Sequence, residues 1–184
     1  MDASLLIIIA VALFVVYAIL QYNKLVRLNI QVDEAFAQIE VQLKRRSDLI
    51  PNLVETVKGY ASHENATFEK VVQARAAATS ATAVPDVAAA DGMLTQALRG
   101  LLAVAENYPD LKASANFLSL QEELATTENK VSFARQFYND NVRALNTAIK
   151  TVPSSFFAGF AKVGEREFYE VDDPQARNAP KVQF

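Results

Sequence analysis

Cysteine is absent from this 184-residue chain, which removes disulfides, thiolate metal sites and cysteine nucleophiles at once. Glycine is scarce, five residues against a typical share of ~7%, and neither glycine nor proline occurs before Pro51. Histidine occurs once, at His63. A carboxylate-bridged metal pair in a helical bundle takes two Glu-x-x-His pairs; the residue three before His63 is Tyr60, so no such site is expected. There is no Gly-x-Ser-x-Gly elbow and no glycine-rich phosphate loop, and a histidine-based triad would have to use His63 itself. His63 reads more simply as a surface or helix-end residue. The net charge of −3, with no basic stripe, argues against nucleic acid as a partner. No cofactor and no catalytic residue are expected, and the chain reads as a non-enzyme.

What the chain does have is an unbroken apolar run from Leu5 to Leu20. With its flanks the run reaches about 18–20 residues, roughly what a ~30 Å hydrocarbon core needs at 1.5 Å per residue. Leu5, Ile8, Leu13, Val16 and Leu20 mark its length. A cleavable signal peptide wants a basic start, a shorter apolar stretch and a small-residue cut site. Here the start is Met1-Asp2, the run is longer, and the exit, Ala18-Ile19-Leu20-Gln21, has no small residue next to the cut. A retained anchor touching membrane lipid is therefore expected. Lys24, Arg27, Lys44, Arg45 and Arg46 all lie on its C-terminal side, which predicts a single-pass protein of the cell (inner) membrane with a short outer N-terminus and a cytoplasmic body.

Beyond Tyr22 the pattern turns amphipathic with no helix breaker. Leu25, Leu28, Val32, Ala35, Ile39 and Leu43 recur at spacings of 3 and 4, the seam of a packed helix. Pro51 disfavours helix at Ile50, and Ser47 or Asp48 is a suitable cap, so the sequence favours a reversal there over a kinked continuous helix. A second helix is expected from Leu49 to Ala78. The Ala- and Thr-rich stretch Ala76 to Gly92 has little to bury and reads as a mobile linker. A third helix follows at Met93 to Glu106. The clearest pattern is the last: Phe117, Leu120, Leu124, Thr127, Val131, Ala134, Tyr138, Val142, Leu145 and Ile149, spaced by 3 and 4 up to Pro153. The fold class is all-α, a transmembrane helix continuing into an antiparallel bundle of long coiled-coil-like helices. The expected organisation is an anchor over 1–22, a cytoplasmic bundle over 23–152 and an aromatic-rich tail over 153–184 packed on the bundle.

The segment Val41–Ala61, VQLKRRSDLIPNLVETVKGYA, resembles the signature of the LemA family. So do Tyr22–Val26, His63-Glu64, Ala105–Ala113, Asn116-Phe117, Thr127–Lys130, Ala134-Arg135, Tyr138-Asn139 and the closing Pro180-x-Val182-x-Phe184. The resemblance covers nearly the whole chain. It implies a single-pass anchor followed by a cytoplasmic helical bundle. It also points to relatives implicated in making magnetosome membranes and to family members found beside membrane metalloproteases.

Three groups are candidate interaction residues. Lys44, Arg45 and Arg46 form either a solvated helix end suited to the C-terminal dipole or ion pairs with acids of neighbouring helices or chains. Glu128 and Arg135, with Glu123 and Lys130, flank the last helix and are either solvated or set the register between helices or subunits. Phe156, Phe157 and Phe160 either cover the open end of the bundle or touch the membrane. For a tethered, heptad-rich helix, self-association into a homo-oligomer is the natural expectation, because tethering raises effective concentration. The expected function is a membrane-anchored, non-enzymatic scaffold acting through self-association and contact with proteins and membrane, with membrane organisation or remodelling as its most concrete form. The alternative is an adaptor or regulator of a membrane metalloprotease.

Overall fold

A computed structural model describes residues 3–170. It contains α1 (Ala3–Lys58), α2 (Asn65–Ser80), α3 (Val84–Ala105), α4 (Pro109–Lys112), α5 (Ala115–Lys150) and α6 (Ser155–Ala161), followed by an extended segment. No strand occurs among the described residues, so the class is all-α. The end of the expected tail, including the Pro180–Phe184 motif, lies outside the described residues. The chain divides into two compact units, Met1–Gln38 with Ala134–Phe168, and Ile39–Phe133 with Tyr169–Phe184. Helices α1 and α5 contribute to both.

In the first unit α1 and α5 run in opposite directions. Leu25 packs with Ala148, while the Phe36 ring lies 5.7 Å from that of Tyr138. Val32, Ala35, Val142 and Leu145 have no exposed surface, and fully burying an aliphatic side chain of this size contributes about 1.5–3 kcal/mol. After α5, helix α6 returns to the start of this packing and buries Ala158 beside Leu25. The extended segment is then pinned to α5. Asn146 donates through Nδ2 to the Arg166 carbonyl and accepts the Arg166 N–H, both at 2.9 Å. The Tyr138 hydroxyl donates to the Glu167 carbonyl, also at 2.9 Å. An amide side chain that reads both groups of one residue does the work of a short strand pairing.

The second unit has a larger core. Ile50, Leu53 and Val57 of α1 meet Phe68 and Val71 of α2, Leu94, Leu98 and Leu101 of α3, Leu111 of α4, and Phe117 and Leu124 of α5. The seam of α5 is buried or half-buried at every one of its expected positions.

The expected reversal at Ser47 does not occur. Helix α1 passes through Pro51 and ends at Lys58, and the chain turns instead across residues 59–64, with Ala61 N–H donating to the Val57 carbonyl at 2.9 Å. The expected second helix from Leu49 is therefore the end of α1 followed by α2. Proline inside a helix leaves the carbonyl four residues earlier without its donor. That carbonyl is Ser47, and Arg75 of α2 donates to it through Nε at 2.9 Å. A tertiary donor thus replaces the missing N–H, and the helix continues. Arg75→Ala is expected to lower unfolding stability by about 1–3 kcal/mol, because the half-buried helix loses its substitute donor. In a Pro51→Ala background, where the backbone again supplies a donor, the same substitution is expected to cost measurably less. Urea melts of the four variants check this, and equal costs in both backgrounds would refute it.

The expected mobile linker is also absent. Most of Ala76–Gly92 is helical: α2 continues to Ser80, only residues 81–83 separate it from α3, and α3 begins well before Met93. Pro85 falls in the first turn of α3, where its missing N–H costs nothing. Val87, Ala88, Ala90 and Asp91 are buried, so small residues here permit close packing.

Candidate functional site

The segment from Leu5 to Leu20 is the first candidate surface. It belongs to a helix long and apolar enough to cross a membrane, and none of its most apolar stretch is buried. Leu5, Ile8, Leu13, Val16 and Leu20 are all exposed. A row of bare aliphatic side chains of this length is stable in hydrocarbon and unfavourable in water.

A second feature is a buried polar cluster in the second unit. Arg46 on α1 is 4% exposed and Asp91 on α3 is 1% exposed. Arg46 donates through Nη1 to Asp91 Oδ1 at 2.9 Å, and its Nη2 lies 2.9 Å from Glu128 Oε2 on α5. The other Asp91 oxygen, Oδ2, accepts the Tyr169 hydroxyl at 2.9 Å, and Tyr169 is itself buried. One planar guanidinium therefore joins carboxylates from two helices, which an ammonium on a flexible stem would not reproduce. The cluster ties α1, α3, α5 and the extended segment together. With Arg46 and Asp91 sealed in the core, the cluster reads as a register device rather than a reaction centre.

The candidate basic run thus divides. Arg46 is buried and paired, whereas Lys44 and Arg45 face solvent, Lys44 lying 3.6 Å from exposed Asp48 one turn on. The run lies in mid-helix, since α1 continues to Lys58. Glu128 joins Arg46. Arg135 is half-buried on α5, in the other unit. Sequence reasoning missed Asp91 and Tyr169 altogether. The signal for Asp91 was its position: Val87, Asp91, Leu94, Leu98 and Leu101 form one 4-3-4-3 row. Arg46 likewise continues the row Ile39, Leu43, Arg46, Ile50, Leu53, Val57. A charge in a core register wants a buried partner of opposite sign.

A third feature is the aromatic group on α6. Phe157 is half-buried with its ring 6.3 Å from Tyr17 in an edge-on arrangement, and the Ser154 hydroxyl donates to Gln21 Oε1 at 3.0 Å. Phe156 and Phe160 stand exposed. An open groove of about 620 Å³ lies between α2 and α3, lined by Lys70, Gln73, Met93, Gln96 and several small residues. Its walls mix polar side chains with small apolar ones. His63 is exposed in the turn between α1 and α2, and no group of His, Asp and Glu suited to a metal ion occurs among the described residues.

The chain is 25% identical over 183 residues to Protein LemA of Metamycoplasma hominis, covering 95% of this chain and 84% of that protein. It is 21% identical to Magnetosome protein MamQ 2 of Paramagnetospirillum magneticum, over 89% of this chain and 70% of the relative. It is 22% identical to Magnetosome protein MamQ of Magnetospirillum gryphiswaldense, over 85% and 68% respectively. The model of the LemA family matches residues 35–184, which takes in the Pro51 segment and the Arg46, Asp91, Glu128 and Tyr169 cluster alike. On that match, the chain belongs to the LemA family.

Proposed function

We propose that this protein is a membrane-anchored, non-enzymatic scaffold that acts through self-association and contact with other proteins and the bilayer. The observation that carries the reading is the wholly exposed apolar segment of α1, continuous with a helix that enters both packed units. The similarity to magnetosome proteins favours organisation or remodelling of membrane as the concrete task. The buried polar groups support it too: a guanidinium and a carboxylate sealed inside a helical core fix geometry and are out of reach of a substrate. Basic residues follow the apolar segment at Lys24 and Arg27, which favours a cytoplasmic body.

The test is the mass of the particle extracted from native membranes with mild detergent, read by light scattering and negative-stain microscopy. Assemblies of many copies are expected, dissolving when α1 is cut before Tyr22. A uniform monomer overturns the scaffold and leaves the alternative, an adaptor or regulator of a membrane metalloprotease.

A further inference from the structure

Helix α6 presents two bare phenylalanine rings at the level where the apolar segment of α1 ends. Three contacts within the first unit set that level. Phe157 meets Tyr17, three residues short of Leu20; Ser154 bonds Gln21, the first polar residue after the run; and Ala158 packs with Leu25. Helix α6 therefore lies beside the passage from apolar to polar side chains on α1. Ala158 and Phe157 face inward in this contact. Phe156 and Phe160, one turn apart and so on one face, are 69% and 80% exposed.

We propose that α6 is a second membrane contact, a short interfacial foot whose Phe156 and Phe160 rings enter the headgroup–acyl boundary of the bilayer that α1 crosses. The proposal rests on the reading of α1 as a membrane-spanning helix. Lipid is the occupant because the contacts to Tyr17 and Gln21 place α6 where the edge of the hydrocarbon falls if Leu5–Leu20 fills it. Aromatic rings favour that depth. The polar surroundings match: Lys24 and Arg27 on α1 and Lys162 at the end of α6 are exposed beyond the apolar run, suited to lipid phosphates. An anchor alone leaves a helix free to spin and tilt about its axis. A foot beside it fixes which face of the first unit meets the bilayer.

The chain has no tryptophan, so each introduced one reports alone. Full-length Leu13→Trp, Phe156→Trp and Phe160→Trp proteins are reconstituted in phosphatidylethanolamine/phosphatidylglycerol vesicles with and without acyl-brominated lipid. The expected result is bromine quenching of all three, with blue-shifted emission. Quenching at Leu13→Trp without quenching at both α6 positions overturns the foot and leaves the anchor standing. That holds whether the α6 emission is water-like or is shifted by a covering protein or second copy. Absence of quenching at Leu13→Trp overturns the spanning reading and the foot with it.

Discussion

Asp91→Ala is expected to destabilise the second unit by about 3–5 kcal/mol, because it strands the Arg46 guanidinium in a core from which water is excluded. Against a total stability of about 5–15 kcal/mol this is a large fraction. It lowers the midpoint of thermal unfolding by about 6–20 °C at 2–4 °C per kcal/mol. Asp91→Asn keeps the shape and one acceptor oxygen, where the carboxylate offers Oδ1 to Arg46 and Oδ2 to Tyr169, while removing the charge, so it is expected to recover part of the loss. Tyr169→Phe removes one hydrogen bond and is expected to cost about 1 kcal/mol. The order Ala worst, Asn intermediate, Tyr169→Phe mildest follows if the cluster is an electrostatic tie. Replacing Arg46 and Asp91 together by apolar residues of similar volume is expected to cost less than Asp91→Ala alone, since neither charge is then orphaned. Circular dichroism melts of the purified full-length proteins decide it. An Asp91→Ala protein as stable as the parent would show that the guanidinium finds enough compensation from Glu128 by itself.

In the first unit the corresponding residue is Tyr138, fully buried against Phe36 and bonded to the Glu167 carbonyl. Tyr138→Ala is expected to cost about 3–5 kcal/mol, the range for deleting a buried ring. Tyr138→Phe, which keeps the ring, is expected to cost about 0.5–1.5 kcal/mol for the lost hydrogen bond. Burial pushes the Tyr138 phenol above its ordinary value; Arg166 opposes this, while Glu167 and Asp33 add to it. The direction sets the pH dependence. Above about pH 10 an unfolded tyrosine loses its proton while the folded one keeps it, so the unfolded state binds fewer protons and stability falls as pH rises. The contribution is fully present below that range and is lost through it. Urea melts from about pH 8 to about pH 11 are expected to show this alkaline loss in the parent and a smaller one in Tyr138→Phe. The difference between the two proteins isolates the contribution of Tyr138. Equal slopes would refute the assignment.

The long heptad row of α5 was legible because the positions from Phe117 to Ile149 follow one period but for a single stutter at Tyr138–Val142, and packing follows period. The long apolar segment of α1 was legible for a similar reason: composition alone marks it out. Pro51 was misjudged because its cost is local and its remedy is not. Nothing near Ser47 in sequence announces that Arg75, 28 residues away, supplies the missing donor. The Ala-rich stretch before Gly92 was read as mobile since it has little apolar surface, yet small side chains also let a helix approach closely and seal Asp91 inside. The polar cluster was half legible. Arg46 stood out in a basic run, but its partners lie on other helices, and a lone acid among alanines carries no local mark of burial.

The tie between Asp91 and Tyr169 spans 78 residues of chain, so at roughly 5–20 residues per second a ribosome adds Tyr169 about 4–16 s after Asp91. Through that interval Asp91 lacks the Tyr169 hydroxyl, and the tyrosine clasp closes only when the extended segment emerges. The seal on the second unit therefore closes only after the helices that carry Arg46, Asp91 and Glu128 have been made.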